Sequence, residues 1–191
     1  MYTCLLGNYF KKHKETTVQF RRGSGSSAGA IVAAYALTEA ADHRFIEIYQ
    51  RELARDPTMY VLDFAYILLN ETLPLNAHEI CENRLFVAVN EISYQGLTRH
   101  VICNFYSRED LIHCILASCA LPFITMNRSA YQWRGGYYID GGFPCYFTDN
   151  QRPCLKINLI RMDYSIYYTA CVADPNVHHL AIRGLEDFLD W

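Results

Sequence analysis

The residues best suited to chemistry lie in the stretch RRGSGSSAGAIVAAYAL, where serines and glycines run directly into small and apolar residues. In one frame the stretch reads Gly25-Ser26-Ser27-Ala28-Gly29, the pattern G-x-S-x-G. This pattern is typical of a nucleophile elbow, a strained strand-to-helix turn that presents a serine hydroxyl. Ser27 is the only serine of the stretch with a glycine both two residues before and two residues after it.

A flexible linker and a phosphate-binding loop are the two other interpretations of this stretch. A linker predicts polar residues downstream, whereas AIVAAYAL consists mostly of good helix formers with an apolar face. A phosphate loop of the G-x-x-x-x-G-K-[ST] type needs a lysine that is absent here. An elbow would place Ser27 at a helix N-terminus, with the backbone N–H of Ala28 as the oxyanion donor.

A serine nucleophile needs a proton acceptor, and Asp140 has the sequence context that suits one. In YYIDGGF it follows a short β-rich run and precedes two glycines. A plain Asp-Gly hairpin turn is the alternative structure for this dipeptide. A further alternative is a triad of Ser27, Asp140 and either His178 or His179, in the chain order of the α/β-hydrolases.

The elements that must position these residues alternate between strands and helices. The pattern predicts a strand at Thr17–Arg21 and a helix at Ser27–Ala40. RLFVAVNEI and TRHVICNF, separated by SYQG, predict a hairpin or two neighbouring strands. SREDLIHCILASCA predicts a helix that begins at Ser107 and that Pro122 ends. This alternation indicates an α/β sandwich with a substantially parallel sheet.

Composition excludes several classes of protein. The 191 residues suit one domain, and 51% hydrophobic against 19% charged residues argues against disorder. A net charge of −3 gives no basic footprint for nucleic acid. No apolar run is long enough for a transmembrane helix. The eight cysteines contain no CxxC pair, so we expect free thiols in a reducing compartment rather than disulfides or a metal site.

The elbow and the Asp140-Gly141-Gly142 segment, in this order and with α/β patterning between them, resemble the patatin-like phospholipase family. LPLNAHEICENRLFVAVNEIS, NFYSREDLIHCILASCALPFI and WRGGYYIDGGF are similar to its adiponutrin and adipose triglyceride lipase branch. The resemblance implies a catalytic domain over residues 1–150, which residues 151–191 continue as a C-terminal strand and helix.

The resemblance also implies a three-layer α/β/α sandwich and a lipid acyl hydrolase that uses a Ser–Asp dyad without a catalytic histidine. Ser27 would be the nucleophile and Asp140 its general base, while Gly141 and Gly142 would let the backbone pass close to the dyad. The substrates would be glycerolipid esters, either triacylglycerol or phospholipid, broken down at a membrane or lipid-droplet surface. No metal and no other cofactor is implied. The protein would be cytoplasmic and peripheral on that surface.

The sequence departs from the family pattern at its N-terminus. The first strand of the family ends in a G-x-G-x-x-G loop that supplies most oxyanion-hole N–H groups. Here Met1-Tyr2-Thr3-Cys4 already resembles the helix that follows this loop, so we expect an N-terminally incomplete domain without the first strand and loop. Arg21 and Arg22 also stand where a buried strand should end. A catalytically impaired lipid-surface binding or regulatory protein is therefore the alternative function.

Overall fold

The computed structural model of the protein describes residues 21–40 and 44–142. The strands in these ranges are β1 (Gly23–Gly25), β2 (Leu85–Ser93), β3 (Gly96–Ile102), β4 (Tyr131–Trp133) and β5 (Gly136–Asp140). The helices are α1 (Ala28–Thr38), α2 (Phe45–Arg55), α3 (Val61–Thr72), α4 (Ala77–Cys81) and α5 (Arg108–Ser118). The expected lack of a first strand and loop, the two candidate histidines, and the C-terminal strand and helix all concern residues outside the described ranges.

Strand β2 is the centre of the sheet. Its first six residues are apolar or uncharged and almost all buried, as expected for a strand covered on both faces. It pairs in parallel with β1 and antiparallel with β3 and β5, and β4 pairs antiparallel with β5. The predicted α/β class is confirmed.

The described sheet is mixed rather than largely parallel. Two of its ladders, β2–β3 and β4–β5, are hairpins whose strands are joined by only two residues. Such short connections permit antiparallel pairing alone, because a parallel pair needs a long crossover. In the second hairpin the connecting residues Arg134 and Gly135 both have positive φ, as a type I′ turn requires.

A layer of helices covers one face of this sheet. Helices α1, α4 and α5 contact one another, and α1 and α5 also contact the strands. Helix α3 contacts α5, and α2 contacts α3. Val87 and Val89 of β2 belong to the apolar cluster formed with these helices. The intervening Ala88 and Asn90 point to the opposite face, because side chains alternate along a strand.

Helix α5 begins as the sequence predicts. The side chain of Ser107 accepts a hydrogen bond of 3.1 Å from the backbone N–H of Asp110, and the helix starts one residue after Ser107. The helix ends at Ser118, before Pro122. Ser118, at this end, accepts a hydrogen bond from the backbone N–H of Ser27.

Strand β1 and helix α1 touch through their backbones. A Cβ atom added to Gly25 would lie 2.3 Å from the carbonyl carbon and oxygen of Gly29. A Cβ atom on Gly23 would lie 3.2 Å from the Cβ of Ala33. The strand that enters the turn is therefore Gly23–Gly25, and the expectation that it ends at the arginines is wrong. Both arginines precede the strand and are exposed. They could not take the place of the strand residues, because only very small residues fit against α1.

The two glycines of the G-x-S-x-G pattern should tolerate substitution very differently. We expect Gly25→Ala to lower the free energy of unfolding by about 3 kcal/mol or more, because its methyl group overlaps the backbone of α1. Gly29 has open space at its Cβ position. We expect Gly29→Ala to be neutral or stabilising by up to about 1 kcal/mol, as alanine replaces glycine within a helix. Urea unfolding of both variants and the wild type tests this; equal destabilisation would contradict it.

Candidate functional site

Ser27 stands at the turn between β1 and α1 in a strained backbone conformation. Its φ of 54° and ψ of −136° lie where residues with a side chain are rarely found. Such strain costs on the order of 1–3 kcal/mol and persists only where the surroundings enforce it. Its hydroxyl makes no capping hydrogen bond to α1, and the residue is half-buried. Ser27 thus occupies a strained strand-to-helix turn, and its role as the elbow nucleophile stays a prediction.

The register of β2 explains how Asp140 reaches this turn. Val87 pairs with Gly25 of β1 and with Ile102 of β3, so these two strands lie on opposite edges of β2. Val89 pairs with β3 and, on the other edge, with Asp140 of β5. Strands β1 and β5 therefore share one edge of β2 and approach each other along it. The ends of β1 and β5, which are far apart in sequence, therefore lie close together. Their pairing partners on β2, Val87 and Val89, are separated by the single residue Ala88.

Strand β5 ends at Asp140, and the chain stays in contact with β2 at the next residue. A Cβ atom on Gly141 would lie 1.9 Å from the carbonyl oxygen of Ala88, so this backbone passes directly against β2. A Cβ atom on Gly142 would lie 2.9 Å from Oδ1 of Asp140. The absence of side chains at these two positions leaves room for the backbone beside the carboxylate. Asp140 ends β5 and is not a turn residue of the β4–β5 hairpin.

The carboxylate of Asp140 is buried, with 6% of the residue exposed. Burial raises its pKa above the ordinary value of 3.8. Hydrogen bonds from the Ser27 hydroxyl and from the backbone N–H of Gly142, the latter 2.6 Å long, act in the opposite direction. Because burial is the largest cause, the carboxylate holds a proton more readily than an exposed aspartate does. A hydrogen-bonded carboxylate of raised pKa beside a serine hydroxyl is suited to take its proton.

Sequence reasoning missed two buried polar residues that hold this pair in place. Ser118, at the end of α5, accepts a hydrogen bond of 2.8 Å from the Ser27 N–H and donates one of 2.6 Å to Ala88 O. Asn90 of β2 donates a hydrogen bond of 2.7 Å to the carbonyl oxygen of Asp140. Ser118 is a polar residue within the otherwise apolar stretch ILASCALPF, and Asn90 is the first polar residue after the apolar run LFVAV, which are the signals that would have found them.

The predicted oxyanion donor, Ala28, is exposed at the N-terminus of α1. Within the described residues, its backbone N–H has no hydrogen-bond partner, as is usual in the first helical turn. The first turn of α1 carries no acidic side chain. The positive end of the helix therefore faces the Ser27 hydroxyl without a competing carboxylate from α1. Its role as an oxyanion donor stays a prediction.

The four cysteines within the described ranges are free thiols: Cys81, Cys103, Cys114 and Cys119. Three are buried, as the sequence suggested, and Cys103 is partly exposed. Cys119 is in hydrogen-bond contact with the Ser27 side chain, and burial raises its pKa well above the ordinary range. Burial likewise raises the pKa of Cys81 to about 12. At neutral pH these thiols stay protonated, so neither Cys81 nor Cys119 is an activated nucleophile.

The fold and the site together define an α/β protein in which the serine of a strained strand-to-helix turn lies beside a buried aspartate. The family model described as Patatin-like phospholipase matches residues 4–150. The chain therefore belongs to the patatin-like phospholipase family.

Two curated relatives also resemble the chain. Patatin-like phospholipase domain-containing protein 4 of Homo sapiens is 32% identical over 129 residues, covering 62% of this chain and 50% of that protein. Omega-hydroxyceramide transacylase of Mus musculus is 27% identical over 143 residues, covering 68% of this chain and 23% of that protein. The chain thus spans at most about half the length of these relatives.

The buried carboxylate should make stability depend on pH in a defined direction. The pKa of Asp140 is raised on folding, so its protonated form is favoured in the folded state. This contribution to stability is fully present below pH 3.8 and is lost as the pH rises through the raised pKa. Asparagine stays neutral at every pH and can still accept the Gly142 hydrogen bond.

We therefore expect Asp140→Asn to have a higher melting temperature than the wild type at neutral pH, with the difference shrinking as the pH falls towards 3.8. Differential scanning calorimetry of both proteins across this range measures it. All other titrating groups are shared by the two proteins and cancel in the difference. A difference independent of pH would contradict the assignment.

Proposed function

We propose that the chain is a serine lipid acyl hydrolase in which Ser27 is the nucleophile and Asp140 the general base. The observation that carries this proposal is a strained, half-buried serine whose side chain lies beside a buried carboxylate of raised pKa. Membership of the patatin-like phospholipase family supports the reaction class. No cofactor takes part in the proposed reaction.

In the first half of the reaction, Asp140 accepts the hydroxyl proton as Oγ of Ser27 attacks the ester carbonyl carbon. The oxygen of the tetrahedral intermediate gains negative charge near the N-terminus of α1, where the Ala28 N–H donates to it. The intermediate then collapses, the ester C–O bond breaks, and the alcohol leaves with the proton from Asp140. An acyl-Ser27 ester remains.

In the second half, Asp140 accepts a proton from a water molecule as that water attacks the acyl-Ser27 carbonyl. Collapse of this intermediate releases the fatty acid and returns the proton to the Ser27 oxygen. Both halves use the same carboxylate as base and then as acid. A raised pKa assists both roles, because it brings the proton affinity of Asp140 closer to the working pH.

The proposed substrates are glycerolipid esters, triacylglycerol or phospholipid, and the proposed pathway is lipid breakdown. Such esters collect in membranes and droplets, so we place the protein at a lipid surface as a peripheral protein. Among the described residues, no helix has the length and apolar character needed to cross a bilayer. The free thiols of the described residues are in keeping with a cytoplasmic location.

Ester turnover on phospholipid and triacylglycerol micelles tests the proposal. We expect Ser27→Ala to lower kcat by about 10⁴-fold or more, because it removes the nucleophile. We expect Asp140→Asn to lower kcat by about 10²–10⁴-fold, because it removes the base. Ser24→Ala is the matched control, since Ser24 is an exposed serine of the same stretch, and it should keep the wild-type rate.

Covalent labelling with a fluorophosphonate probe separates the two candidate functions. Labelling of the wild type and of Ser24→Ala, but not of Ser27→Ala, is the result expected of a hydrolase. A wild type that binds lipid vesicles without labelling or turnover would favour the lipid-surface binding or regulatory protein. A second arm of the assay adds a long-chain alcohol, because one relative is named as a transacylase. An ester product there would redirect the proposal from hydrolysis to acyl transfer.

A further inference from the structure

We propose that Ser118 is a positioning residue, whose hydroxyl holds the backbone of Ser27 in the conformation that aims the nucleophile at Asp140. This inference rests on the proposed function, in which Ser27 and Asp140 react with the substrate. Ser118 has no role in that chemistry and acts only through Ser27.

The hydroxyl of Ser118 is committed to two partners. Its oxygen accepts the hydrogen bond of 2.8 Å from the Ser27 N–H. Its single proton is donated to the carbonyl oxygen of Ala88, 2.6 Å away. Ser118 is fully buried, so water does not compete for either bond. A buried hydroxyl thereby ties the elbow to the central strand β2.

The backbone at the end of α5 holds the other half of the pair. The carbonyl oxygen of Ser118 accepts a hydrogen bond of 3.1 Å from the Gly141 N–H, and that of Ala120 accepts one of 2.9 Å from the Asp140 N–H. These carbonyls have no intrahelical partner at a helix C-terminus, so the Asp140 turn satisfies them. One segment, residues 118–120, therefore fixes the nucleophile turn through a side chain and the base turn through main-chain oxygens.

The strain at Ser27 gives the side-chain bond its importance. A residue with positive φ tends to relax towards ordinary conformations unless its N–H and carbonyl groups are held. The Ser27 carbonyl is held by the N–H of Ala30 within the first turn of α1, whereas the Ser27 N–H is held by Ser118. Loss of that acceptor should let the elbow relax and move the Ser27 hydroxyl away from Asp140, without changing the surface that meets the substrate.

The kinetic test compares Ser118→Ala with Thr72→Val. Thr72 is a matched buried hydroxyl of α3, which donates to the Leu68 carbonyl and contacts the hydroxyl of Tyr35, and it has no hydrogen bond to Ser27 or Asp140. We expect Ser118→Ala to lower kcat by about 10²-fold with KM within about twofold, as small misplacements of reacting groups do. Thr72→Val should lower the melting temperature while leaving kcat unchanged. Equal kcat values for the two variants would overturn the inference.

A second readout does not depend on turnover. We expect amide hydrogen exchange of Ser27, followed by NMR, to become about tenfold faster in Ser118→Ala, the effect of losing one hydrogen bond. The Gly141 amide is the internal control, because its acceptor is the main-chain oxygen of residue 118, which the substitution retains. Unchanged exchange at Ser27 would overturn the inference. If the wild type lacks turnover, the proposed function fails, and the exchange experiment alone decides whether Ser118 holds the elbow.

Discussion

The site depends on the contact of three backbone segments at one edge of strand β2. Strand β1 arrives from one end, β5 from the other, and Gly141 passes within van der Waals contact of Ala88 between them. No side chain fits into this contact, because a methyl group on Gly141 would overlap the Ala88 carbonyl. The same rule holds on the helix side, where Gly25 contacts the first turn of α1. These contacts bring the serine and aspartate turns together.

The arrangement places two costly features side by side. Ser27 has a strained backbone, which costs on the order of 1–3 kcal/mol, and Asp140 has a buried carboxylate whose charged form is disfavoured. A single hydrogen bond contributes about 0.5–1.5 kcal/mol, so no one bond holds both features. The fold uses several, from Ser118, Ala120 and Asn90, and seats them on a fully buried helix end and strand. These hydrogen bonds offset the free-energy cost of the strained and buried groups of the site.

Some of the fold and the site can be predicted from local sequence because local sterics determine it. Glycine, serine and alanine around Ser27 predict a turn where strand and helix backbones touch, and such a turn forms. The β-rich runs RLFVAVNEI and TRHVICNF, split by a turn that contains glycine, predict a hairpin or two neighbouring strands, and a hairpin forms. The serine cap at Ser107 predicts the start of α5. The position of β1 is not predictable in this way, because glycine has a low strand propensity and pairs here only through contact with β2 and α1.

The sequence by itself determined which residues are candidates for the proposed chemistry, namely a serine between two glycines and an aspartate followed by two glycines. The sequence shows this because the sizes of the neighbouring side chains decide how closely two backbone segments can approach. Those sizes are known from the order of residues along the chain. Only the tertiary structure decided that β1 and β5 share an edge of β2, that the described sheet is mixed, and that Ser118 and Asn90 support the pair. Register and hydrogen bonding between distant segments depend on how the core packs as a whole, and no local pattern specifies that packing.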